Sequence, residues 1–254
     1  MFHIVGYSQS VLTGGTLQPI NALSDPTVAV DGKYIGVPSR FPNLLFVAGL
    51  CTGNEINRAQ VQSPSLREFI YPEVSPLALG ATFGNLVSFP VWNTEPIPLA
   101  AHEDLEFYSD GGGDGTTAQQ VMGVVAFCDG KQPTAGGEIF TVSAKSNLTL
   151  NAGYWANTPI TFDQILPVGK YQIVGMRAEG AGLVAARLVF IGDSAVSRPG
   201  CLGVASANAQ EHPIFRMGNL GVWGTFDSQT PPSVDLVGAT GTSQTYYFDL
   251  IRIG

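Results

Sequence analysis

The run LPVGKYQIVGMRAEGAGLVAARLVFIG, residues 166–192, decides the fold class. Residues 171–179 and 183–191 are each of strand length, and Gly180 and Gly182 flank Ala181 between them, where positive φ can reverse the chain. The pattern predicts a β-hairpin. In the register set by that loop, Val174 faces Leu188, Met176 faces Ala186 and Ala178 faces Val184, which makes one face core. On the other face Tyr171 and Ile173 oppose Val189 and Ile191 at the far end, while Arg177 and Arg187 lie near the loop. Apolar residues on both faces at one end imply burial from both sides, by a second sheet or by a neighbouring subunit. The two arginines read either as surface cations paired with Glu179 or another carboxylate, or as interface residues.

The rest of the chain extends this pattern. Of 254 residues, 31 are Gly and 17 Pro, 44% are hydrophobic and 13% are charged, a composition of short strands and many turns. The fold class is all-β. That length allows one large domain or two small ones. A net charge of −8 with no cluster of Lys and Arg argues against a chain that grips phosphate backbones. No run of about 18 apolar residues is present, and the start, MFHIVGYSQSVLTGG, lacks the charged and apolar regions of a signal peptide, so the sequence predicts a soluble chain. Cys51, Cys128 and Cys201 are too dispersed for a disulfide framework or metal site and read as buried small hydrophobes.

Taken in order, residues 1–40 suggest an extended arm or edge strands. FPNLLFVAGL, 41–50, is a strand. SPSLREFIY, 63–71, has Pro64 near its start, Ser65 three residues before Glu68, and Leu66, Phe69 and Ile70 at helical spacing, which predicts one short helix. Residues 85–91, 99–108 and 119–128 read as strands, and 129–137, DGKQPTAGG, as linker. Beyond it come short candidate strands at 138–144, 148–151, 160–162, 213–217, 222–226, 233–237 and 245–253. Such spacing marks a sandwich or jelly roll and not a βαβ fold.

The two sides of the linker echo each other. Pro42 opens a strand ending near Gly49, then come Gly84-Asn85-Leu86, Asp104-Leu105, a Gly/Thr loop and Gln119 before a terminal apolar strand. In the same order, Pro167 opens a strand reaching Gly175, followed by Gly218-Asn219-Leu220, Asp235-Leu236, a Gly/Thr loop and Gln244. A tandem duplication of a β-sandwich fits this order. The expected division is an arm at 1–40, a first sandwich at 41–130, a linker at 131–137 and a second sandwich at 138–254. One larger sandwich is the alternative if the echo is accidental.

Site chemistry is sparse. No G-x-S-x-G, H-E-x-x-H, P-loop, Rossmann or C-x-x-C pattern occurs, so the chain reads as a non-enzyme without a cofactor. His102, Glu103, Asp104 and Glu106 form the densest ionisable cluster. On a strand His102, Asp104 and Glu106 would share a face, either as a carboxylate pair or as a solvated or interface face. In the loop SDGGGDGT, 109–116, Asp110 and Asp114 could place two carboxylates around a calcium ion, against the plainer reading of a turn. Trp155 and Trp223 are either core anchors or a sugar-stacking platform.

Three phrases carry a resemblance: residues 166–192 above, SRPGCLGV at 197–204, and FRMGNLGVWGTFDSQTPP at 215–232, about the last third of the chain. They are similar to the double jelly-roll major capsid proteins of small tailless icosahedral viruses, of the membrane-containing bacteriophage type. The resemblance implies two tandem jelly rolls, a homotrimer forming a pseudo-hexagonal tile, and a lattice shared with other capsid or vertex proteins. It implies location in the virion after assembly in the host cytoplasm, and apposition to an internal membrane without direct nucleic-acid binding. In keeping with that, the N-terminal stretch carries only Lys33 and Arg40 as cations before Phe41. The alternative function is a carbohydrate-binding β-sandwich, a lectin or receptor-binding spike.

Overall fold

Gly and Pro break the apolar runs before they reach helical length, and the chain folds as strands. The computed structural model describes residues 1–13, 16–51, 59–68, 71–74, 78–79, 89–109 and 114–254. Helical structure among these residues is limited to 3-10 turns at Ser65–Glu68, Gly192–Val196 and Pro213–Phe215. The helix expected over 63–71 is therefore the first of these turns. Its intended cap is replaced: Ser65 donates from both its backbone N–H and its hydroxyl to the Glu103 carboxylate, at 2.9 and 2.7 Å. Residues 69 and 70, on which the helical spacing rested, lie outside the described residues.

The first half supplies β1 (Phe2–Thr13), β2 (Tyr34–Gly36), β3 (Asn43–Cys51), β4 (Ala59–Gln62), β5 (Asp104–Ser109) and β6 (Asp114–Cys128). The second supplies β7 (Phe140–Ser146), β8 (Ala156–Pro159), β9 (Lys170–Glu179), β10 (Leu183–Val189), β11 (Gly200–Val204), β12 (Gly224–Asp227), β13 (Ser233–Gly238) and β14 (Gln244–Arg252). In the second half the pairing is first with last, β7 with β14, then β8 with β13, β9 with β12 and β10 with β11, all antiparallel. That is one long ribbon. It folds over so that β9 lies beside β14 and β10 beside β13. The products are two facing layers, β7-β14-β9-β12 and β8-β13-β10-β11, joined at one edge where Ala178–Glu179 of β9 pairs parallel with Gly203–Val204 of β11, which is a jelly roll.

The first half repeats this plan. β1 pairs with β6, and β2 with β5. β6 also takes β3, and β5 takes β4. Val91 and Pro98 border β3 where β12 borders β9 in the second half, and Glu73–Val74 borders β4 as β11 borders β10. The landmarks of the sequence echo fall on matching strands. Asn43–Cys51 after Pro42 corresponds to Lys170–Glu179 after Pro167, and Asp104-Leu105 on β5 corresponds to Asp235-Leu236 on β13. Gly84-Asn85-Leu86 lies outside the described residues, as does most of the strand expected over 85–91.

The opening hairpin is corrected by this topology. β9 and β10 are consecutive but belong to opposite sheets, so the residues expected to face each other across a ladder instead meet through the core. Both strands are buried over most of their length, and each gains two hydrogen-bonded neighbours by leaving the other. Gly182, at φ 70°, makes the corner. Residues 148–151 and 213–217, expected as strands, are an irregular segment and a 3-10 turn.

Two apolar cores result, and the sheet β1-β6-β3 is part of both. One of its faces presents Val5, Tyr7, Val47, Val125 and Phe127 to Leu105, Phe107 and Val61 of the first sandwich. Its other face presents Phe2, Ile4, Leu50, Met122, Val124 and Ala126 to the core of the second sandwich. A bulge in β3 serves this division. Phe46 pairs with Ala126 and Leu44 with Phe127, so Leu45 is the extra residue, and Leu45 and Phe46 both reach the shared core. Phe46 meets Phe215 at 5.5 Å, and Phe2 meets Trp223 edge-on at 5.0 Å. A sheet covered on both faces explains the continuous apolar runs of residues 44–48 and 124–128.

Candidate functional site

The residues singled out by sequence do not converge. Asp110 lies outside the described residues, and of Asp114 only the backbone is described, as the start of β6, so the calcium reading falls outside what the structure describes. No group of three His, Cys, Asp or Glu is arranged to hold a metal among the described residues. His102 precedes β5 and does not share its face with Asp104 and Glu106. It sits at φ 66°, where a non-glycine backbone is strained. Glu103 turns away to cap residues 63–65, and Glu106 accepts a hydrogen bond from the Tyr108 hydroxyl at 3.2 Å. Trp223 is fully buried, and Trp155 is half-buried against a guanidinium, so neither forms an exposed platform. Cys128 and Cys201 are buried free thiols, and burial pushes both thiol pKa values up.

What the structure does bring together is a charged knot at the seam of the two sandwiches. Arg187, on β10, is fully buried. Its Nε donates to Asp235 Oδ2 of β13 at 3.0 Å, and its Nη1 donates to the Ile4 carbonyl of β1 at 3.1 Å and to Asp25 Oδ2. The Trp155 ring lies 4.3 Å from the guanidinium carbon. One cation thus ties the N-terminal strand and the following loop to both strands of the facing pair. Burial would raise the Asp25 pKa, but the neighbouring His3 ring, the Arg187 charge and hydrogen bonds from Arg187 and Thr27 outweigh it and hold the carboxyl well below its usual range.

His3 completes the knot from β1. Its Nε2 is 3.2 Å from Thr27 Oγ1, its Nδ1 accepts the Arg198 backbone N–H at 3.1 Å, and its ring stacks on Phe41. The same ring lines a cleft of about 290 Å³ with Thr27, Val37, Arg40, Phe41 and His102. A second buried carboxylate, Asp249 of β14, accepts from Arg216, the Met217 backbone and Thr141. Burial pushes its pKa up, and these donors more than reverse the shift.

Sequence reasoning gave Arg177 and Arg187 the same two alternatives; Arg177 pairs with Glu179 at 2.6 Å, whereas Arg187 is fully buried. The distinguishing signal was local. Arg187 interrupts LVAARLVF, a run otherwise apolar on both faces, whereas Arg177 has Glu179 two residues away on its own face.

Four exposed aliphatic side chains mark the end of the second sandwich formed by the loops around 163–169, 190–194 and the chain end. Ile165 is 97% and Ile191 76% exposed, with Val168 and Ile253 beside them. Arg252 donates to the Val168 carbonyl and the Ser228 N–H to the Gly169 carbonyl, which ties the 163–169 loop to the chain end and to the turn after β12.

No family model and no curated protein matches the chain. Among solved structures, the major capsid protein P2 of bacteriophage PM2 aligns over 100% of this chain and 98% of its own, at 11% identity and a TM-score of 0.23. The PBSX exported protein XepA aligns over 99% and 86%, at 11% identity and a TM-score of 0.27. Superpositions at that level decide neither fold nor function, and the strand pairing itself is what makes the chain a pair of jelly rolls.

Proposed function

We propose that the chain is a viral major capsid protein, a structural subunit that works by assembly and not by turnover. The observation that carries this reading is the shared sheet β1-β6-β3, whose two faces belong to the cores of both jelly rolls and so join them into one block. A tile needs that rigidity, because lattice contacts made at one end of the block must be transmitted to the other. The resemblance of residues 166–192, 197–204 and 215–232 to double jelly-roll capsid proteins supports the same reading. The exposed Ile165, Val168, Ile191 and Ile253 add to it, since apolar side chains gathered on tied loops are stabilised when a neighbouring subunit covers them.

In this reading three copies form a pseudo-hexagonal tile, and tiles join edge to edge in the virion shell, next to vertex proteins. A shell facing an internal membrane fits a chain of net charge −8. Light scattering across a concentration series tests the proposal. The expected mass is that of a trimer or larger, shifting toward monomer in Ile165→Glu with Ile191→Glu; a wild type that stays monomeric at every concentration contradicts it.

A further inference from the structure

We propose that His3 is a proton-sensitive pin on the seam, and that protonating its imidazole loosens the first strand from the second sandwich. The hydrogen bonds fix the neutral state. Arg198 presents a backbone N–H to Nδ1, which must therefore hold a lone pair. On the other side the Thr27 hydroxyl donates its proton to Asp25 Oδ1 at 2.5 Å, so its oxygen accepts from His3 Nε2–H. The ring carries one proton and uses both nitrogens.

A second proton has one place to go, Nδ1, and there it points at the Arg198 N–H. Donor then faces donor, and a bond joining β1 to the segment before β11 is lost. The adjoining bond, from Ile4 N–H to the Arg198 carbonyl at 3.0 Å, belongs to the same stitch. Asp25 returns part of the cost of the new charge, and burial outweighs it. The ring is 1% exposed. Asp25 Oδ2 is 3.9 Å from Nε2, but that carboxylate is already committed to Arg187. Against it stand Arg187 of β10, itself paired with Asp235, and Arg198 of the following segment, while Arg40 and His102 line the cleft from its rim. The loop at 36–41 adds only the Phe41 ring, and the neighbours on β1, Phe2 and Ile4, are apolar. Burial is the largest influence and lowers the His3 pKa; Asp25 raises it, the two guanidiniums lower it by less, and the net shift is downward. The ring lines this cleft, which is the route by which a proton would reach it.

The unfolded chain takes up this proton near the ordinary value of 6.5 and the folded chain only below it. Stability is therefore full above that pH and falls as the pH drops through it, by up to tenfold in the unfolding constant per pH unit for one proton. His212, whose pKa is also lowered by burial, adds a slope of the same sign, so each histidine is replaced separately.

The test is denaturation of the wild type, His3→Gln and His212→Gln at pH 7.5 and 5.5. A pH-dependent loss in the wild type that shrinks in His3→Gln is expected, with His212→Gln giving the share that belongs to His212. An equal loss in His3→Gln overturns the proposal. Should His3→Gln fail to fold, amide exchange of the wild type, corrected for intrinsic rates, decides. Protection at Arg198 and Ile4 should fall about tenfold between the two pH values while Ala126 in the β6 ladder keeps its own. Unchanged protection at Arg198 and Ile4 overturns it.

Discussion

Arg187 shows what a single buried charge does in this fold. Its guanidinium satisfies two carboxylates, a carbonyl and an indole face, and removing it leaves Asp25 and Asp235 facing each other without a cation. Replacing one partner of a buried ionic set costs about 3–5 kcal/mol, because desolvation of the remaining charges is no longer offset. Arg187→Met should lower stability by that order in urea denaturation. Lys145→Ala, which removes an exposed pair with Asp163 at 3.0 Å, should change it by less than about 0.5 kcal/mol. Equal effects would refute the knot. At this scale the sequence was only partly legible. A charge inside an apolar run signals a buried partner, but Asp25 and Asp235 lie far from Arg187 along the chain, and only the fold brings them together. The same holds for His3, whose partners Thr27 and Arg198 come from opposite halves.

Strand identity was the most legible level, and strand partnership the least. Period-two and continuous apolar runs located β3, β5, β6, β9, β10, β13 and β14 because each is a central strand with a strong burial pattern. The two glycines between β9 and β10 were compatible with both a hairpin and a corner, since local sequence sets the reversal and not the sheet that the next strand joins. The corner makes a distinct prediction. Gly182 has φ 70°, and a Cβ there would sit 2.3 Å from the Thr240 carbonyl oxygen, whereas Gly180 has an ordinary φ and contacts no closer than 3.3 Å. Gly182→Ala should cost about 1–3 kcal/mol and Gly180→Ala well under half of that, measured by thermal denaturation. A tight two-glycine hairpin would feel both substitutions alike. The helix expected over 63–71 failed for a related reason: Ser65 finds a better acceptor in Glu103, distant in sequence, than in its local cap.

For the whole molecule, the duplicated plan was legible as an ordered set of landmarks, because Pro, Gly and Asp mark strand entries and turns that the fold uses twice. What the landmarks could not reveal is that the two jelly rolls share a sheet. That sharing makes the molecule a single block, and assembly of such blocks is the central claim. Negative-stain imaging of the purified protein tests it most directly. Particles with a pseudo-hexagonal outline built from six lobes, or closed shells of them, are predicted; single two-lobed particles with no lattice at any ionic strength would contradict it.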